Sequence, residues 1–257
     1  MKDFVLPSPP RLLLFDLDGT LLDSRKRISE RNLKAIAQCR RRGMMIGVAT
    51  ARSEPTCARF LNSIQPELLI SNSGALVRLC GRVIYQCGFS PDETAALVGA
   101  GVAERRGITV DCDDVTYSNR YISFFNEPGM AYTDYKCFSR SSHKICIEGA
   151  DIDFAVRTAA LVENCSWLAF SDCDWFKFSK DNVSKGDALR HVILQTGIQA
   201  NEMIAFGDDF VDMEMLKVCG TGIAMANAVD EVKAQADFVI GDNDSDAIAA
   251  FLLSYIL

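Results

Sequence analysis

Apolar residues in this chain fall in short unbroken runs, separated by segments with helical spacing. "RLLLFD", "MMIGVAT" and "ELLIS", at 11–16, 44–50 and 67–71, are continuous apolar stretches. They lack the in-out alternation of a half-exposed sheet and predict strands covered on both faces, as in a parallel sheet. Between them, "ISERNLKAIAQCRRRG" and "SEPTCARFLNSI" predict helices over 28–43 and 53–64. In the first helix Ser29 reads as the N-cap, Ile28 and Leu33 as a hydrophobic staple, and Gly43 as the residue past the C-terminus. "ALVRLCGRVIYQC" at 75–87 reads as two β segments about Gly81, a hairpin that leaves the sheet.

The same rhythm returns after residue 184. "SKGDALRHVILQTG", "VDMEMLKVCG", "AVDEVKAQA" and "SDAIAAFLLSYIL" predict helices, and "EMIAFGDD", "TGIAM" and "DFVI" predict strands. The intervening segment differs. It holds "PDETAALVGAGVAERRG", "TYSNRYISFFN", "HKICI", a helix from Ile152 to Asn164, and the paired strands "SWLAFSD" and "DWFKFSK". Eight of the fifteen phenylalanines and both tryptophans lie there, so its core is built differently. The expected fold is α/β, with a doubly wound parallel-sheet, Rossmann-like core formed by residues 1–87 and 181–257 and an inserted α+β domain at 88–180.

Composition narrows the function. With 257 residues, 49% of them hydrophobic, the chain can bury one large core or a core plus an insert. A formal net charge of −7 argues against nucleic acid and anionic membrane as partners. The one basic run, "RRR" at 40–42, falls where cations suit a helix C-terminus. None of the ten cysteines forms a C-x-x-C pair, "MKDFVLPSPPR" has no apolar targeting core, and no apolar run reaches the length of a membrane span. The expectation is a soluble, reduced, cytoplasmic protein, a monomer or homodimer.

The chemistry collects at strand ends. "LLLF" runs into Asp16, with Asp18 two residues on; "MIGVA" ends at Thr50, with Ala51 after it; "MIAFG" ends at Asp208, followed by Asp209 and Asp212. Ligands of open α/β sheets bind at the carboxyl edge of the strands, so these residues are expected to converge. Two neighbouring carboxylates driven toward a core need a cation, a shared proton or full exposure to water. Lys185, at the start of a helix, opposes the helix dipole unless an anion or aspartate faces it. Clustered hard oxygen ligands suit Mg²⁺, and threonine, lysine and backbone amides beside such an ion describe a phosphate pocket. There a carboxylate can act as nucleophile and a second one can shuttle protons.

Each piece also has an ordinary reading. D-x-D-G-T alone can be a polar turn, Thr50 a strand-end hydroxyl, "GDDFVD" a solvated turn with Asp212 as N-cap, and Lys185 a surface lysine. "DCDD" at 111–114 reads as a surface turn without partners, and His143 and His191 as isolated, with no zinc spacing. "GTGIAM" lacks the last glycine of a dinucleotide site, and neither a P-loop nor a nucleophile elbow is present.

The order "DLDGTLL", "ATAR", "SKGDAL", "AFGDDFVDMEML" resembles the haloacid dehalogenase superfamily, and with "SNSGALV" and "GIAMANAVDEVKAQADFV" its Cof-type sugar-phosphatase branch. The resemblance spans essentially the whole chain, and the 88–180 insert matches that branch's cap. It implies Asp16 as the nucleophile that forms an aspartyl-phosphate and Asp18 as general acid and base. It implies Thr50 and the amides near it, Ala51 included, as phosphate ligands, and Lys185 as stabiliser of the nucleophile and the phosphoryl charge. Mg²⁺ would be held by Asp16, the Asp18 carbonyl and Asp208, with Asp212 and Asp209 in support and Asn72 a polar position at the core edge. Two positions depart from the branch: Val211 stands where asparagine is common, and Ala51 where glycine is. Asp18 favours phosphotransfer over dehalogenation, because an alkoxide leaving group needs a proton and a halide does not. The implied activity is hydrolysis of a small phosphorylated metabolite, the alternatives being a sugar phosphomutase and a catalytically idle binding protein.

Overall fold

The computed structural model describes residues 6–122, 130–170 and 173–257. They divide into two compact units, one of Met1–Ala51, Arg59–Tyr85 and Ser184–Leu257, the other of Arg52–Ala58 and Gln86–Val183.

The first unit is built on an eight-stranded sheet. Its strands are β1 (Leu12–Phe15), β2 (Met45–Ala49), β3 (Leu68–Ser71), β4 (Leu76–Leu79), β5 (Arg82–Gln86), β12 (Met203–Gly207), β13 (Thr221–Ala224) and β14 (Phe238–Val239), in the order β14-β13-β12-β1-β2-β3-β4-β5. From β14 to β3 every pairing is parallel. β1 is central, all four of its residues are buried, and β12 and β2 flank it. This explains the continuous apolar runs: side chains of a covered parallel sheet are buried on both faces. The hairpin predicted to leave the sheet does not. β4 pairs antiparallel with β3 and β5 lies beyond it, so the hairpin extends the sheet at its edge.

Two long helices of this unit open on serine caps. α1 (Glu30–Arg41) starts at Ser29, whose side chain accepts from the Asn32 amide, and ends on Arg40 and Arg41. Arg40 also pairs with Glu67 at 2.7 Å. Asn32 is buried in α1, and its Oδ1 accepts from the Ala249 amide of α8 (Ala247–Tyr255), which ties the two helices together. Phe251 of α8 meets Phe206 of β12 edge to face, and Phe206 stacks on Phe15 of β1 with centroids 4.9 Å apart. The two strands that deliver Asp16 and Asp208 are thus locked side by side by aromatic packing. α5 (Lys185–Thr196) begins at Ser184, which accepts from the Asp187 amide, and ends at Gly197 in the left-handed region at φ +68°. The helix predicted over 211–220 opens as a 3-10 turn, Phe210–Asp212, before α6 (Met213–Val218).

In the second unit, β6 (Ile108–Asp111), β7 (Thr116–Ser118), β8 (Met130–Tyr132), β9 (Lys144–Glu148), β10 (Cys165–Ala169) and β11 (Trp175–Lys180) form a six-stranded, mostly antiparallel sheet in the order β10-β11-β9-β6-β7-β8. Two helices pack on it, α3 (Pro91–Ala103), opened by a Ser90–Glu93 capping box, and α4 (Ile152–Ala159). The core includes Phe89, Phe154, Phe176 and Phe178, which accounts for the aromatic content of the segment. α4 stops five residues short of the predicted Asn164. The ends of the predicted "TYSNRYISFFN" and "SWLAFSD" strands lie outside the described residues.

Candidate active site

Four side chains from distant parts of the first unit meet at the carboxyl edge of β1 and β12. Lys185 is wholly buried, and its Nζ lies 2.6 Å from Asp16 Oδ1 and 2.6 Å from Asp212 Oδ1. Two aspartates therefore face the cation at the start of α5. Asp16, Asp208 and Asp212 each offer a carboxylate oxygen within 4.8 Å of the others. Asp208 is fixed by Thr20, whose Oγ1 donates to Asp208 Oδ1 at 2.7 Å. Gly19, at φ +82°, lets the backbone pass against Asp208; a Cβ there would overlap Asp208 Oδ2.

The oxygens are not equally available. Asp212 Oδ1 takes Lys185, and Asp212 Oδ2 accepts from the amides of Asp208 and Asp209 at 3.0 and 3.2 Å. Both Asp212 oxygens are committed to holding protein. Asp16 uses Oδ1 for Lys185, and Asp208 uses Oδ1 for Thr20. The oxygens left for a ligand are Asp16 Oδ2 and Asp208 Oδ2. Three carboxylates against one ammonium would leave two negative charges in excess if all were ionised. The electrostatics agree. Burial pushes the Asp16 carboxyl well above its ordinary range; Lys185 opposes this, and the Asp212 and Asp208 charges add to it. Burial likewise raises Asp208 to about 7, against the Thr20 hydrogen bond. Burial disfavours the ammonium of Lys185, but Asp16 and Asp212 more than offset it, and its pKa is raised. A hard divalent cation matches this donor set in both chemistry and charge.

The remaining sequence candidates lie around this cluster or apart from it. Thr50, at the end of β2, is buried; its amide donates to the Ile70 carbonyl at 2.8 Å and its carbonyl accepts from the Ser73 amide at 3.1 Å. Ala51 follows it and is exposed. Asp18 does not place its carboxylate in the cluster. Its Oδ1 takes the Lys26 ammonium at 2.6 Å, both side chains being partly exposed. Asp209 is exposed and caps the 3-10 turn by accepting from the Phe210 amide. Asn72, just past β3, is buried with its carboxamide unpaired among the described residues.

Some contacts were not expected. Thr20 lies within "DGT" and Lys26 in the next turn, yet neither had a partner until the chain folded. The structure corrects the expectation of a surface turn without partners at "DCDD": Asp111 pairs with Lys144, Asp113 with His143, and Asp114 with Arg140. The pairing of β6 with β9 sets Asp111 directly opposite Lys144. His143 is thus not isolated, nor is His191, whose ring stacks on Tyr85 at 3.8 Å.

Comparison with known proteins covers most of the chain. The model of the haloacid dehalogenase-like hydrolase family matches residues 13–252. Pyridoxal phosphate phosphatase YbhA of Escherichia coli (strain K12) is 26% identical, with 96% of this chain and 99% of that protein covered. HMP-PP phosphatase of Escherichia coli O8 (strain IAI1) is 27% identical, with 96% of each covered. A crystal structure of a haloacid dehalogenase-like hydrolase from Bacteroides thetaiotaomicron superposes with a TM-score of 0.85 at 21% identity, over 95% of this chain and 98% of that one. Among the described residues no helix is long and apolar enough to cross a membrane.

Proposed function

Because the chain belongs to the haloacid dehalogenase-like hydrolases, Cof-type branch, and is therefore an enzyme, we propose that it is a Mg²⁺-dependent phosphatase of small phosphomonoesters, sugar phosphates or related metabolites. The observation that carries this reading is the buried Asp16–Lys185–Asp212 triad beside Asp208, in which the carboxylates outnumber the cations. Asp16 Oδ2, Asp208 Oδ2 and the Asp18 carbonyl are the groups that would hold Mg²⁺, and Asp212 supports them by fixing Lys185 and two backbone amides. When bound, the ion supplies charge neutralisation at the phosphoryl oxygens.

The chain's own groups account for the rest. Lys185 favours the ionised form of Asp16 and orients it. An Asp16 oxygen attacks phosphorus, the ester P–O bond breaks, and Asp18, released from Lys26 and protonated, gives its proton to the departing alkoxide. Asp18, now a carboxylate, takes a proton from water as that water attacks the aspartyl-phosphate, and Asp16 and inorganic phosphate are released. Thr50 and the amides of its turn, that of Ala51 included, bind the phosphoryl group. Residues 88–180 are the cap domain, where selectivity resides, and the protein works in the cytoplasm. A relative named for pyridoxal phosphate supports a metabolite-sized ester. The test is phosphate release from a panel of sugar and cofactor phosphates, with EDTA and then Mg²⁺ added. Activity should vanish and return; full turnover in metal-free buffer would remove the metal from this reading.

A further inference from the structure

Between α8 and β14 of the first unit lies a cleft of about 600 Å³. Small-molecule sites span roughly 300–1,000 Å³, so its size suits a ring-bearing metabolite. The sequence of α8 opens it. The side chains that α8 sinks deepest into the unit are large, Ile248, Phe251 and Leu252, whereas Ala247, Ala250 and Ser254 line the cleft and leave room. β14 is the edge of the sheet, and its Phe238 and Val239 line the cleft as well. Three aromatic rings therefore border it, those of Phe238, Phe251 and Tyr255; the last is half-exposed, with its centroid 5.1 Å from that of Phe251. Such walls hold a flat ring by its faces.

The polar groups of the cleft specify the edge of that ring. Arg31 of α1 and Asp246 both line it, their charged atoms 3.7 Å apart, beyond hydrogen-bond reach. Asp246 stands at the N-cap of α8, yet its carboxylate makes no capping bond. A guanidinium that donates beside a carboxylate that accepts matches a ring on which an N–H adjoins a carbonyl, as in uracil. An anionic ligand would be repelled by Asp246, and a purely apolar ring would leave both charges unmet. The cleft is also wired to the reaction centre. Gly241 and Ser245 line it, and the residues between them hold the turn after Asp16. Asn243 Nδ2 donates to the Leu22 carbonyl, the Ser24 amide donates to Asp244 Oδ1, and the Asn243 amide donates to Asn227 Oδ1, while Asn227 Nδ2 donates to the Gly19 carbonyl. Gly19 and Thr20 are the residues set against Asp208. We propose that this cleft is a regulatory site for a uracil-type base or nucleoside, sharing no residue with the catalytic cluster, and that its occupation changes turnover through residues 241–245. The change in turnover rests on the phosphatase reading above; the binding does not.

Equilibrium dialysis of the full chain against uridine and 3-methyluridine tests the binding. Neither carries a phosphate to be hydrolysed, and the methyl group blocks the one ring N–H. Uridine should bind at least about tenfold more tightly, as one hydrogen bond to a charged group implies. Asp246→Ala should bring the two affinities together. Ala250→Trp, which fills the cleft from an exposed position, should abolish uridine binding, and either variant decides if the other does not fold. No uridine binding, equal affinities in the parent, or binding untouched by both variants would overturn the site. Turnover of nitrophenyl phosphate with Mg²⁺ then tests the coupling: saturating uridine should change kcat/KM by about fivefold or more in the parent and leave Ala250→Trp unaffected. Binding without that change would overturn the regulatory role. Competition with the ester that survives in Ala250→Trp would put uridine in the catalytic centre and overturn the site. No turnover at all would instead overturn the phosphatase, while the dialysis still decides the cleft.

Discussion

In the second unit, Lys144 and Asp111 are a matched pair inside the sheet: Nζ lies 2.9 Å from Oδ2, with side chains 13 and 6% exposed. Thr116 completes it by donating to Asp111 Oδ1 at 2.6 Å. Burial works against the Lys144 ammonium, but the Asp111 carboxylate outweighs it, and the lysine pKa is raised. In the first unit, Lys185 has as good a geometry but pairs with two carboxylates, Asp16 and Asp212, and a third, Asp208, stands in the same cluster. Both clusters bear the desolvation cost of buried ions. One has no carboxylate in excess, Asp111 facing Lys144 with the Arg52 charge also acting on that lysine, and explains itself as structure. The other has carboxylates in excess and calls for a partner from outside the chain. Balance, not burial, separates the structural cluster from the functional one.

The largest effects come from removing one carboxylate of each. Asp16→Asn should lose turnover by at least about 10⁴-fold, as expected when a nucleophile is deleted. Yet without metal it should be at least as stable as the parent at pH 8, because it removes repulsion. Asp111→Asn should do the reverse: turnover is kept in the molecules that fold, while urea unfolding shows a loss, because the buried ammonium of Lys144 has lost its ion pair with Asp111. If both variants lose stability equally, the two clusters are alike and the comparison fails.

Removing the cations instead should cost about 3–5 kcal/mol in each unit, since each change strands buried carboxylates. Lys185→Met leaves three of them and Lys144→Met leaves one. Mg²⁺ should restore part of the stability of Lys185→Met and none of that of Lys144→Met, read as the shift in urea midpoint on adding the ion. Equal rescue, or none, would mean that the Asp16 cluster does not hold the ion.

How far the sequence reaches follows from the same contrast. "LLLFD", "MIGVAT" and "MIAFGD" end apolar runs on polar residues, and parallel strands bring such ends to one edge, so Asp16, Thr50 and Asp208 could be placed before folding was known. Lys185 could be placed because a cation at a helix start has few structural reasons to be there. The Asp111–Lys144 pair was hidden, since it depends on the register of β6 against β9, and strand register over a distance of some thirty residues leaves no local mark. The same holds for the edge hairpin: "ALVRLCGRVIYQC" shows two strands and a turn but not which strand they join. Equally hidden was the commitment of both Asp212 oxygens, because the amides of Asp208 and Asp209 are available only in the 3-10 turn that follows β12.

The smallest expected effect is also the most specific, and it concerns pH. Asp208 titrates near 7 rather than at its ordinary 3.8, chiefly because it is buried. Without metal, the folded protein therefore keeps a proton that the unfolded chain has released, so stability should fall as pH rises from about 4 to about 7 and level off above. Asp16, raised as well, acts in the same direction. A cation must displace that proton to bind, so apparent Mg²⁺ affinity should rise about tenfold between pH 6 and pH 8. Calorimetric titrations at pH 6, 7 and 8, in buffers of different ionisation enthalpy, would read both the affinity and the proton released. Asp208→Asn should reduce that proton release to the share that Asp16 contributes. Lys144→Met should leave it as in the parent, because the balanced cluster has no part in it. A Mg²⁺ affinity that stays flat across this range would show that the open charge of the Asp16 cluster is met by something other than the ion.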